Sequence, residues 1–452
     1  MNIKELRELY FKAYNNNKDY VDNRVADGIE KHRKGTCRIR FTDESGTPLA
    51  GKKVRLTQKS HDFKHGANIF MLDEFEKEED NKEYRRFFKE HFNLATVPFY
   101  WGDLEPEEGK PRYTTDSPKI YRRPSPDLCF DYCEENGILP KLHCLVYEPY
   151  TPDWLKHRSL NEIKAKYEER FRQISERYSG RLYEIEVINE VFNLQFFEDR
   201  SALSKQRDLV EWSFETAQKY FPNEVLMINE GNPIQKLARE DWRAHYFLTV
   251  ENALLHGAEI DKIGLQNHQF IGVNAKTPEM YEKDFSNQVR MELNDVMSYF
   301  KGLDVISELG LPLELTEVTI PTLGEGLEAE ELQADVLRLW YSIWFSHPSV
   351  DGIVYWNTVD GYAHVVDDGK RYWNENNCRA GLWHHDLTPK KSAEMLKKLF
   401  TKEWHTEAEL VTDENGYIGL RGFYGEYEAE IDGHVCNFEI HKNDNKEWKF
   451  MI

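Results

Sequence analysis

Apolar and polar residues alternate along most of the chain with two different periods, which predicts strands and helices that follow one another. Short apolar runs rich in Val, Ile and Leu predict eight strands, at residues 64–70, 93–99, 138–146, 183–189, 225–229, 262–267, 312–317 and 351–356. Apolar stripes with helical spacing predict helices between them, at residues 75–91, 125–136, 161–178, 204–220, 236–256, 292–309, 328–346 and 389–400. Eight strands, each followed by a helix, indicate an α/β fold, a (β/α)8 TIM barrel over residues 64–402, whose active site lies at the carboxyl ends of the strands.

The pattern changes at both ends of the chain. Residues 1–34 predict N-terminal helices. Residues 35–63 alternate on either side of the turn sequence Asp43–Pro48, which predicts a β-hairpin, and residues 403–452 contain further short strands between turns. Because an isolated hairpin buries too little apolar surface to be stable, we expect these two segments to pair into one small accessory β-sandwich.

Composition narrows the class of protein and of partner. The 452 residues are 40% hydrophobic, enough for a large domain with a smaller one beside it. The net charge of -21 argues against nucleic acid or an anionic membrane surface as a partner, since both require a basic face, and no apolar run is long enough to span a bilayer. Six scattered cysteines and the lack of an apolar segment near Met1 predict a cytoplasmic protein, or a secreted one if a signal peptide has been removed.

Two of the predicted strands end on a glutamate. The fourth strand leads into Asn189 and Glu190, and the seventh ends on Glu317. In a barrel both strand ends face the same side, so the two carboxylates are expected to share one pocket. Two carboxyl groups in different environments of one pocket can act as an acid and a base in the same reaction.

The residues around these glutamates resemble glycoside hydrolase family 10, the family of endo-β-1,4-xylanases. Val187–Glu190 resembles the motif that carries the family's acid/base, and Leu315–Glu317 resembles the motif that carries its nucleophile. Four more stretches stand in the family's order: Trp101–Gly109, Pro152–Trp154, Ile263–His268 and Val354–Trp356. The resemblance covers about residues 64 to 400 and implies a retaining glycoside hydrolase of the endo-β-1,4-xylanase type, which acts on a carbohydrate and needs no metal or other cofactor.

The resemblance also implies which glutamate does what. Glu190, after strand four, would be the general acid/base, and Glu317, after strand seven, the nucleophile. The pair Asn229–Glu230 repeats the Asn-Glu sequence after strand five, and strand counting excludes it from the acid/base role. Glu230 is therefore interpreted as a hydrogen-bonding, pocket-lining or structural group.

Three polar residues are candidates for the substrate site. The resemblance implies that Asn189 donates to the sugar 2-hydroxyl and that His268 bonds to the nucleophile, which would orient it and stabilise its charge. Gln266 lies in the same motif as His268 and is a further candidate.

Aromatic residues cluster near the predicted strand ends, where flat rings could stack on sugars, although core packing accounts for most aromatics in any barrel. The cluster comprises Tyr100, Trp101, Tyr147, Trp154, Trp356, Tyr362, Trp373 and Trp383. We expect Tyr147 and Trp356 to contact substrate and leave Trp373 and Trp383 open.

The sequence departs from the family pattern on the side of the cleft that holds the non-reducing part of the substrate. Tyr100 stands where the family has a lysine, and the family's preceding Glu-Asn pair is missing. After strand three, Glu148 replaces a histidine and Tyr150 a glutamine. These changes remove donors to sugar hydroxyls and add an acceptor, so Tyr100 and Glu148 are candidate substrate contacts, and xylan is one substrate among related plant glycans.

Two alternatives stay open beside a glycosidase. A carbohydrate-binding protein could keep the cleft and have lost catalysis, although the intact pair Glu190 and Glu317 argues against it. A hydrolase of a non-glycan substrate is the second alternative, since a barrel fold does not determine function. The six motifs in family order argue against that reading.

Overall fold

The chain begins with three helices that lead into the first two strands. The computed structural model describes residues 2–196, 199–290, 295–369, 371–443 and 446–452. The first elements are α1 (Ile3–Tyr10), α2 (Lys12–Asn16), α3 (Lys18–His32), β1 (Lys34–Thr42) and β2 (Lys53–Gln58). Asn2 caps α1 by accepting from the backbone N–H of Glu5, whose side chain accepts from the backbone of Asn2 in return.

A closed barrel of eight parallel strands follows, as the sequence predicts. Barrel strands one to eight are β3 (Lys64–Asn68), β4 (Leu94–Pro98), β5 (Leu139–Val146), β6 (Glu184–Asn189), β7 (Val225–Glu230), β8 (Lys262–His268), β9 (Leu313–Thr319) and β10 (Val350–Tyr355). Each strand pairs with its neighbours in sequence, and β10 closes the barrel against β3. The observed bounds lie within two residues of the predicted ones.

Helices surround the barrel. They are α4 (Glu78–His91), α5 (Trp101–Leu104), α6 (Pro126–Asn136), α7 (Asp153–Lys156), α8 (Leu160–Tyr178), α9 (Leu209–Tyr220), α10 (Ile234–Glu240), α11 (His245–Leu255), α12 (Pro278–Arg290), α13 (Val296–Ser307) and α14 (Leu327–Ser346). The helix predicted at 236–256 is divided in two, because Asp241 has a φ of 63° that no continuous helix accepts. The helix predicted at 292–309 begins partly outside the described residues, and α12 was not predicted. No helix in the described part of the chain has the length and apolarity needed to cross a bilayer.

The two chain ends pair into two packed sheets, which confirms the predicted accessory β-sandwich. The remaining elements are the hairpin β11 (Val365–Asp367) and β12 (Tyr372–Asn374), then α15 (Lys391–Lys398), β13 (Glu407–Val411), β14 (Tyr417–Phe423), β15 (Gly425–Ile431), β16 (His434–Ile440) and β17 (Glu447–Met451). One sheet has the order β14-β1-β17 and the other β13-β2-β15-β16. Their facing sides bury Ile39, Phe41, Tyr427 and Phe438 in one apolar core.

The barrel interior contains buried ion pairs. Nζ of Lys141 lies 2.6 Å from Glu186 and 2.5 Å from Glu314, and Nζ of Lys262 lies 2.8 Å from Glu184. All five side chains are almost fully buried. Alternate residues of these strands therefore point charged groups inward, while their apolar residues pack outward against the helices.

Candidate active site

Glu190 and Glu317 lie on the same face of the barrel, near the carboxyl ends of strands four and seven. Glu190 is the first residue after β6 and is half-buried, and its φ of 51° is uncommon for a residue with a side chain. Glu317 is buried and lies inside β9, which continues to Thr319, instead of at the end of the strand as predicted. Strand ends of one barrel thus bring together two carboxylates that are far apart in sequence.

The strands that carry the site have irregular register. The pairing of β6 with β7 shifts between Glu186 and Ile188, and the pairing of β8 with β9 shifts between Leu265 and Gln266. Such irregularities are common beside active sites because they redirect side chains. Here the shift places Gln266 opposite Glu317 on the neighbouring strand.

The side-chain amide of Gln266 joins the two carboxylates. Its Nε2 donates to Oε1 of Glu190 at 3.0 Å and to Oε1 of Glu317 at 2.8 Å. Two atoms bridged in this way are at most about 6 Å apart, close to the separation of roughly 5 to 5.5 Å typical of retaining glycosidases and below the range of inverting ones. The sequence identified Gln266 as a substrate-binding candidate, and the structure shows it bound to both glutamates.

Each carboxylate also has donors of its own. Oε2 of Glu190 accepts from the hydroxyl of Tyr147 at 2.7 Å and from Nδ2 of Asn193 at 2.8 Å. Oε1 of Glu317 accepts from Nδ2 of Asn229 at 3.0 Å. These contacts hold both carboxyl groups in one orientation before any substrate binds.

Opposing effects act on the charge of Glu317. Burial raises its pKa well above the ordinary value of a glutamate, and His143 opposes this shift while Glu186 and Glu190 add to it. The N–H donors on its oxygens stabilise the ionised form. The ionisation of Glu317 therefore depends on its hydrogen bonds and on the titratable groups beside it.

His268 contacts Glu317 as a neutral imidazole. Burial lowers the pKa of His268 to about 4. Its Nε2 lies 3.2 Å from Oε2 of Glu317, and its Nδ1 lies 2.8 Å from Oγ1 of Thr319. A carboxylate can only accept, so Nε2 carries the proton and Nδ1 accepts from the Thr319 hydroxyl. The ring also stacks on Phe270, with centroids 4.2 Å apart.

His143 and Glu186 form a second pair beneath the site, and the sequence analysis missed both. Nδ1 of His143 lies 2.5 Å from Oε2 of Glu186. Burial lowers the pKa of His143, but the adjacent Glu186 carboxylate more than offsets this and leaves the pKa raised. Next to Glu317, His143 favours the ionised form of that carboxyl and Glu186 opposes it. The alternation of polar residues along β5 and β6 was the signal that could have indicated these inward-facing groups.

Two of the expected aromatic contacts lie beside Glu190 and Glu317, together with Tyr100. Tyr147 bonds to Glu190, and the hydroxyl of Tyr100 lies 2.9 Å from Nε2 of His143. Trp356 packs with its ring centroid 5.5 Å from His143 and 6.1 Å from His268. Trp154 and Tyr362 are half-buried, and Trp373 is half-buried against Phe270, which stacks on His268. Trp101 and Trp383 belong to the core. Trp383, for example, stacks on Phe87 at 3.8 Å.

Glu148 does not have the environment expected of a substrate contact. Its carboxylate is buried and accepts from the backbone N–H of Ser201 at 2.5 Å and from the Ser201 hydroxyl at 2.7 Å. Thr151 donates to the same group at 3.3 Å. Because its oxygens are engaged by protein donors, Glu148 fixes the loop after strand four and does not present a free acceptor.

The two Asn-Glu pairs have different surroundings. Oδ1 of Asn189 accepts from Nδ2 of Asn229 at 3.0 Å and from Nε2 of Gln266 at 3.3 Å, which fixes the orientation of its side-chain amide beside Glu190. The carboxylate of Glu230 accepts from the backbone N–H groups of Gly231 at 2.8 Å and Phe192 at 3.2 Å. Burial raises the pKa of Glu230 to about 8. A protonated, backbone-bound carboxyl agrees with a structural role for Glu230.

Three residues in the described part of the chain have the geometry of a possible cation site. His143, Glu186 and Glu317 each offer one ligand atom within 4.8 Å of the others. Nδ1 of His143 and Oε2 of Glu186 already bond to each other, and Glu317 is bound by amide donors. The contacts of these groups with one another account for their positions, so we assign no metal role to them.

Comparisons with known proteins assign most of the chain to the family that the sequence motifs resemble. A family model described as Glycosyl hydrolase family 10 matches residues 63–398. The chain is 26% identical over 408 residues to the Anti-sigma-I factor RsgI6 of Acetivibrio thermocellus, and 22% identical over 408 residues to Endo-1,4-beta-xylanase 1 of Arabidopsis thaliana. Both matches cover 89% of this chain but only 45% and 37% of the relatives, so the chain spans less than half of their length.

Solved structures support the fold. Native xylanase 10B from Thermotoga maritima is 21% identical, with a TM-score of 0.56 over 76% of this chain and 96% of that one. Xylanase 10B from Thermotoga petrophila RKU-1, solved in complex with xylobiose, is 19% identical, with a TM-score of 0.56 over 76% of this chain and 95% of that one. Since the family match extends over most of the barrel and includes both glutamates, the chain belongs to glycosyl hydrolase family 10.

Proposed function

We propose that this chain is a retaining glycosidase that hydrolyses β-linked xylan-like or related plant glycans, with Glu190 as general acid/base and Glu317 as nucleophile. The observation that carries the proposal is the amide of Gln266, which bonds to one oxygen of each carboxylate. This arrangement favours double displacement, because a separation of at most about 6 Å leaves no room for a water between the nucleophile and the sugar.

In the first step, Glu317 attacks the anomeric carbon while Glu190 gives its proton to the leaving oxygen. A covalent bond forms between Glu317 and the sugar, and the glycosidic bond breaks. In the second step, Glu190 takes a proton from water, the water oxygen attacks the same carbon, and Glu317 leaves as a carboxylate. The donors from Asn229, Gln266 and His268 stabilise Glu317 in its ionised states.

The substrate class is proposed from the relatives. Several carry xylanase names, and one xylanase structure was solved with xylobiose. This chain differs from the family pattern at Tyr100, whose hydroxyl bonds to His143, and at Glu148, which binds Ser201. We therefore propose a β-glycan of xylan type as the first substrate to test, with related plant oligosaccharides beside it.

The test is a panel of aryl β-glycosides and plant oligosaccharides with three variants. Glu317→Ala is expected to lower kcat by about 10⁴-fold or more on every hydrolysed substrate. Glu190→Gln is expected to lower kcat/KM by about 10²- to 10⁴-fold for poor leaving groups and much less for good ones, which need little protonation. Full activity of Glu317→Ala would contradict the proposal.

Glu230→Gln is the matched control for Glu190→Gln. Its position repeats the Asn-Glu sequence, and glutamine keeps the neutral state that a pKa of about 8 implies at neutral pH, with one oxygen that still accepts from the backbone. We expect Glu230→Gln to keep near wild-type kcat/KM. Loss of activity in Glu230→Gln, with retention in Glu190→Gln, would reassign the acid/base.

A carbohydrate-binding protein without turnover is the second candidate. The observation that favours it is the match to a relative named as an anti-sigma factor, which covers 89% of this chain. Binding of a panel oligosaccharide without release of product would support this candidate and contradict the glycosidase.

A further inference from the structure

The rim of the barrel above strand one is crossed by the side chain of Arg122. In the closed barrel, β3 lies between β10 and β4, so the loops after strands eight and two flank the end of strand one. Arg122 belongs to the loop after strand two, and its Nη2 donates to Oδ1 of Asn357 in the loop after strand eight, 2.7 Å away. Its Nη1 donates to the carbonyl oxygen of Tyr362 in the same loop. The two loops are therefore tied together above strand one.

The bridge between Arg122 and Asn357 is buried, and a third residue, Glu375, holds Asn357. Arg122 is 3% exposed. Asn357 donates to Oε2 of Glu375 at 2.6 Å, and Glu375 accepts from Nε1 of Trp373 at 3.2 Å. A buried guanidinium and a buried carboxylate joined through one amide resist opening, because moving either leaves a buried charge unpaired. The bridge is therefore a fixed part of the cleft wall above strand one.

Arg123 and two tyrosines fill the space beside the bridge. The Arg123 guanidinium lies 4.3 Å from the ring centroid of Tyr100, and Tyr100 stacks on Tyr150 at 4.1 Å. Nε of Arg123 donates to Oδ2 of Asp103 at 2.6 Å, which holds the guanidinium over the ring. Since the Tyr100 hydroxyl reaches His143, this bulky layer extends to the residues beneath Glu317.

The end of the cleft near Glu190 is more exposed than the end near the bridge. Glu190 and residues 191–193 after it are half-buried, whereas Arg122, Arg123 and Tyr100 are buried. A sugar with its anomeric carbon at Glu317 and its leaving oxygen at Glu190 has its non-reducing end across the ring, directed away from Glu190. Trp356 packs against His268, which bonds to Glu317. Phe70 lies 5.2 Å from the Trp356 ring and 5.5 Å from the Arg122 guanidinium, so the bridge borders the side of the cleft that holds Glu317.

We infer that Arg122 closes the glycone end of the cleft, so that the enzyme removes sugars from the non-reducing ends of its substrate and does not cut within the chain. The inference rests on the proposed glycosidase function and specifies its mode of action. Arg122 acts as a specificity-determining residue, because the wall that it completes excludes a second sugar on the glycone side.

The test compares nitrophenyl β-xyloside with nitrophenyl β-xylobioside, or their counterparts in the sugar that the panel selects, and follows the products from a reduced hexasaccharide. We expect the wild type to prefer the single sugar by about tenfold or more in kcat/KM and to shorten the hexasaccharide one unit at a time. Arg122→Gly, in which glycine suits the φ of 61°, is expected to shift the preference toward the disaccharide. Arg379→Gly is the matched control, since Arg379 also has a positive φ but its guanidinium pairs with Glu325.

The possible outcomes distinguish a failure of the closed glycone end from a failure of the proposed glycosidase function. Preferred cleavage of the xylobioside, or internal products from the hexasaccharide, by the wild type would overturn the closed end and leave the glycosidase standing. No hydrolysis of any panel member would overturn both. The wild-type product pattern decides the matter even if Arg122→Gly fails to fold.

Discussion

The side-chain amide of Gln266 fixes the position of the Glu190 carboxylate relative to that of Glu317. We predict that Gln266→Met, which keeps the volume but removes the N–H group, lowers kcat/KM by about 10- to 100-fold, because a hydrogen bond to a charged group contributes roughly 1.5 to 3 kcal/mol. The measurement is steady-state hydrolysis of the best aryl glycoside, with circular dichroism to verify folding.

Gln333→Met is the control for this prediction. Gln333 is also buried, but its Nε2 donates to the carbonyl oxygen of Ile320 at 2.9 Å, away from the two glutamates. Its loss should affect stability and leave kcat/KM of the folded enzyme unchanged. Wild-type kcat/KM in Gln266→Met would show that the bridge has no part in the reaction.

Single residues differ in how far their roles could be predicted from sequence. Glu190, Glu317 and His268 could be selected because each stands at or near the end of a strand within a recognisable motif. The partner of Glu148 could not, because Ser201 lies 53 residues away in a loop and no local pattern couples the two. Residue identity showed a new carboxylate at 148, but only the fold shows what that carboxylate binds.

At the scale of elements, the eight strands were predictable because their apolar runs are short and separated by helical stripes. The charged side chains inside the barrel could not be predicted. In β6, Glu184 and Glu186 alternate with Ile185 and Val187, a pattern that normally describes a strand with one face in water. Here the charged face points inward to Lys141 and Lys262, which requires partners on strands distant in sequence.

This buried network predicts an asymmetric response to mutation. Lys141→Met removes the cation between Glu186 and Glu314 and leaves both carboxylates buried without it. We expect a loss of about 3 to 5 kcal/mol in the free energy of unfolding, because Glu186 then keeps only His143 as a partner and Glu314 keeps only Lys262 at 3.8 Å. Urea denaturation followed by fluorescence measures this difference at pH 7.

Glu184→Gln is the corresponding control. Burial, with the nearby Glu314 carboxylate, raises the pKa of Glu184, and Lys262 opposes this shift. Glutamine keeps an oxygen that accepts from Lys262, and Lys262 keeps its pairs with Asp351 and Glu314. The expected change is below about 1 kcal/mol. A Lys141→Met variant as stable as Glu184→Gln would show that the interior does not need this cation.

A histidine cluster at the base of the barrel predicts acid sensitivity. Burial lowers the pKa of His61 and His91 to about 4 and that of His65 to about 3. In the unfolded chain these groups protonate near pH 6.5, so between pH 6.5 and 4 the unfolded state binds more protons. Stability is therefore fully present above pH 6.5 and falls as the pH drops, by up to about 1.4 kcal/mol per pH unit for each histidine.

The measurement is the unfolding free energy at pH 7, 6 and 5 in wild type and His65→Leu. His65 stacks on Phe400 at 4.0 Å, and leucine keeps an apolar contact there while removing one titrating group. The pH slope should decrease in this variant. The control is His157→Leu at an exposed position, which should keep the wild-type slope. Equal slopes in all three proteins would contradict the assignment.

The whole molecule is joined where the barrel meets the sandwich. Arg33, between α3 and β1, donates to the carbonyl oxygens of Phe345, His347 and Val350 at the base of the barrel. Phe345 stacks on Trp404 at 4.1 Å and packs near Phe423 of β14 at 6.1 Å. Both chain ends and the barrel therefore share one apolar junction, which favours a bracing role for the sandwich.

A shared junction predicts that barrel and sandwich unfold together. Tyr427→Ala in the sandwich core should destabilise the protein by about 3 to 5 kcal/mol, as for other buried aromatics, and lower one common Tm. The Tm from calorimetry and the temperature at which glycosidase activity is lost should fall by the same amount. The activity resides in the barrel, whereas Tyr427 belongs to the sandwich core. Tyr427→Phe, which removes the hydroxyl that donates to the Phe423 carbonyl and keeps the ring, should shift the Tm by about a third as much. Two separate transitions, with the barrel transition unmoved by Tyr427→Ala, would show that the sandwich folds independently and does not brace the barrel.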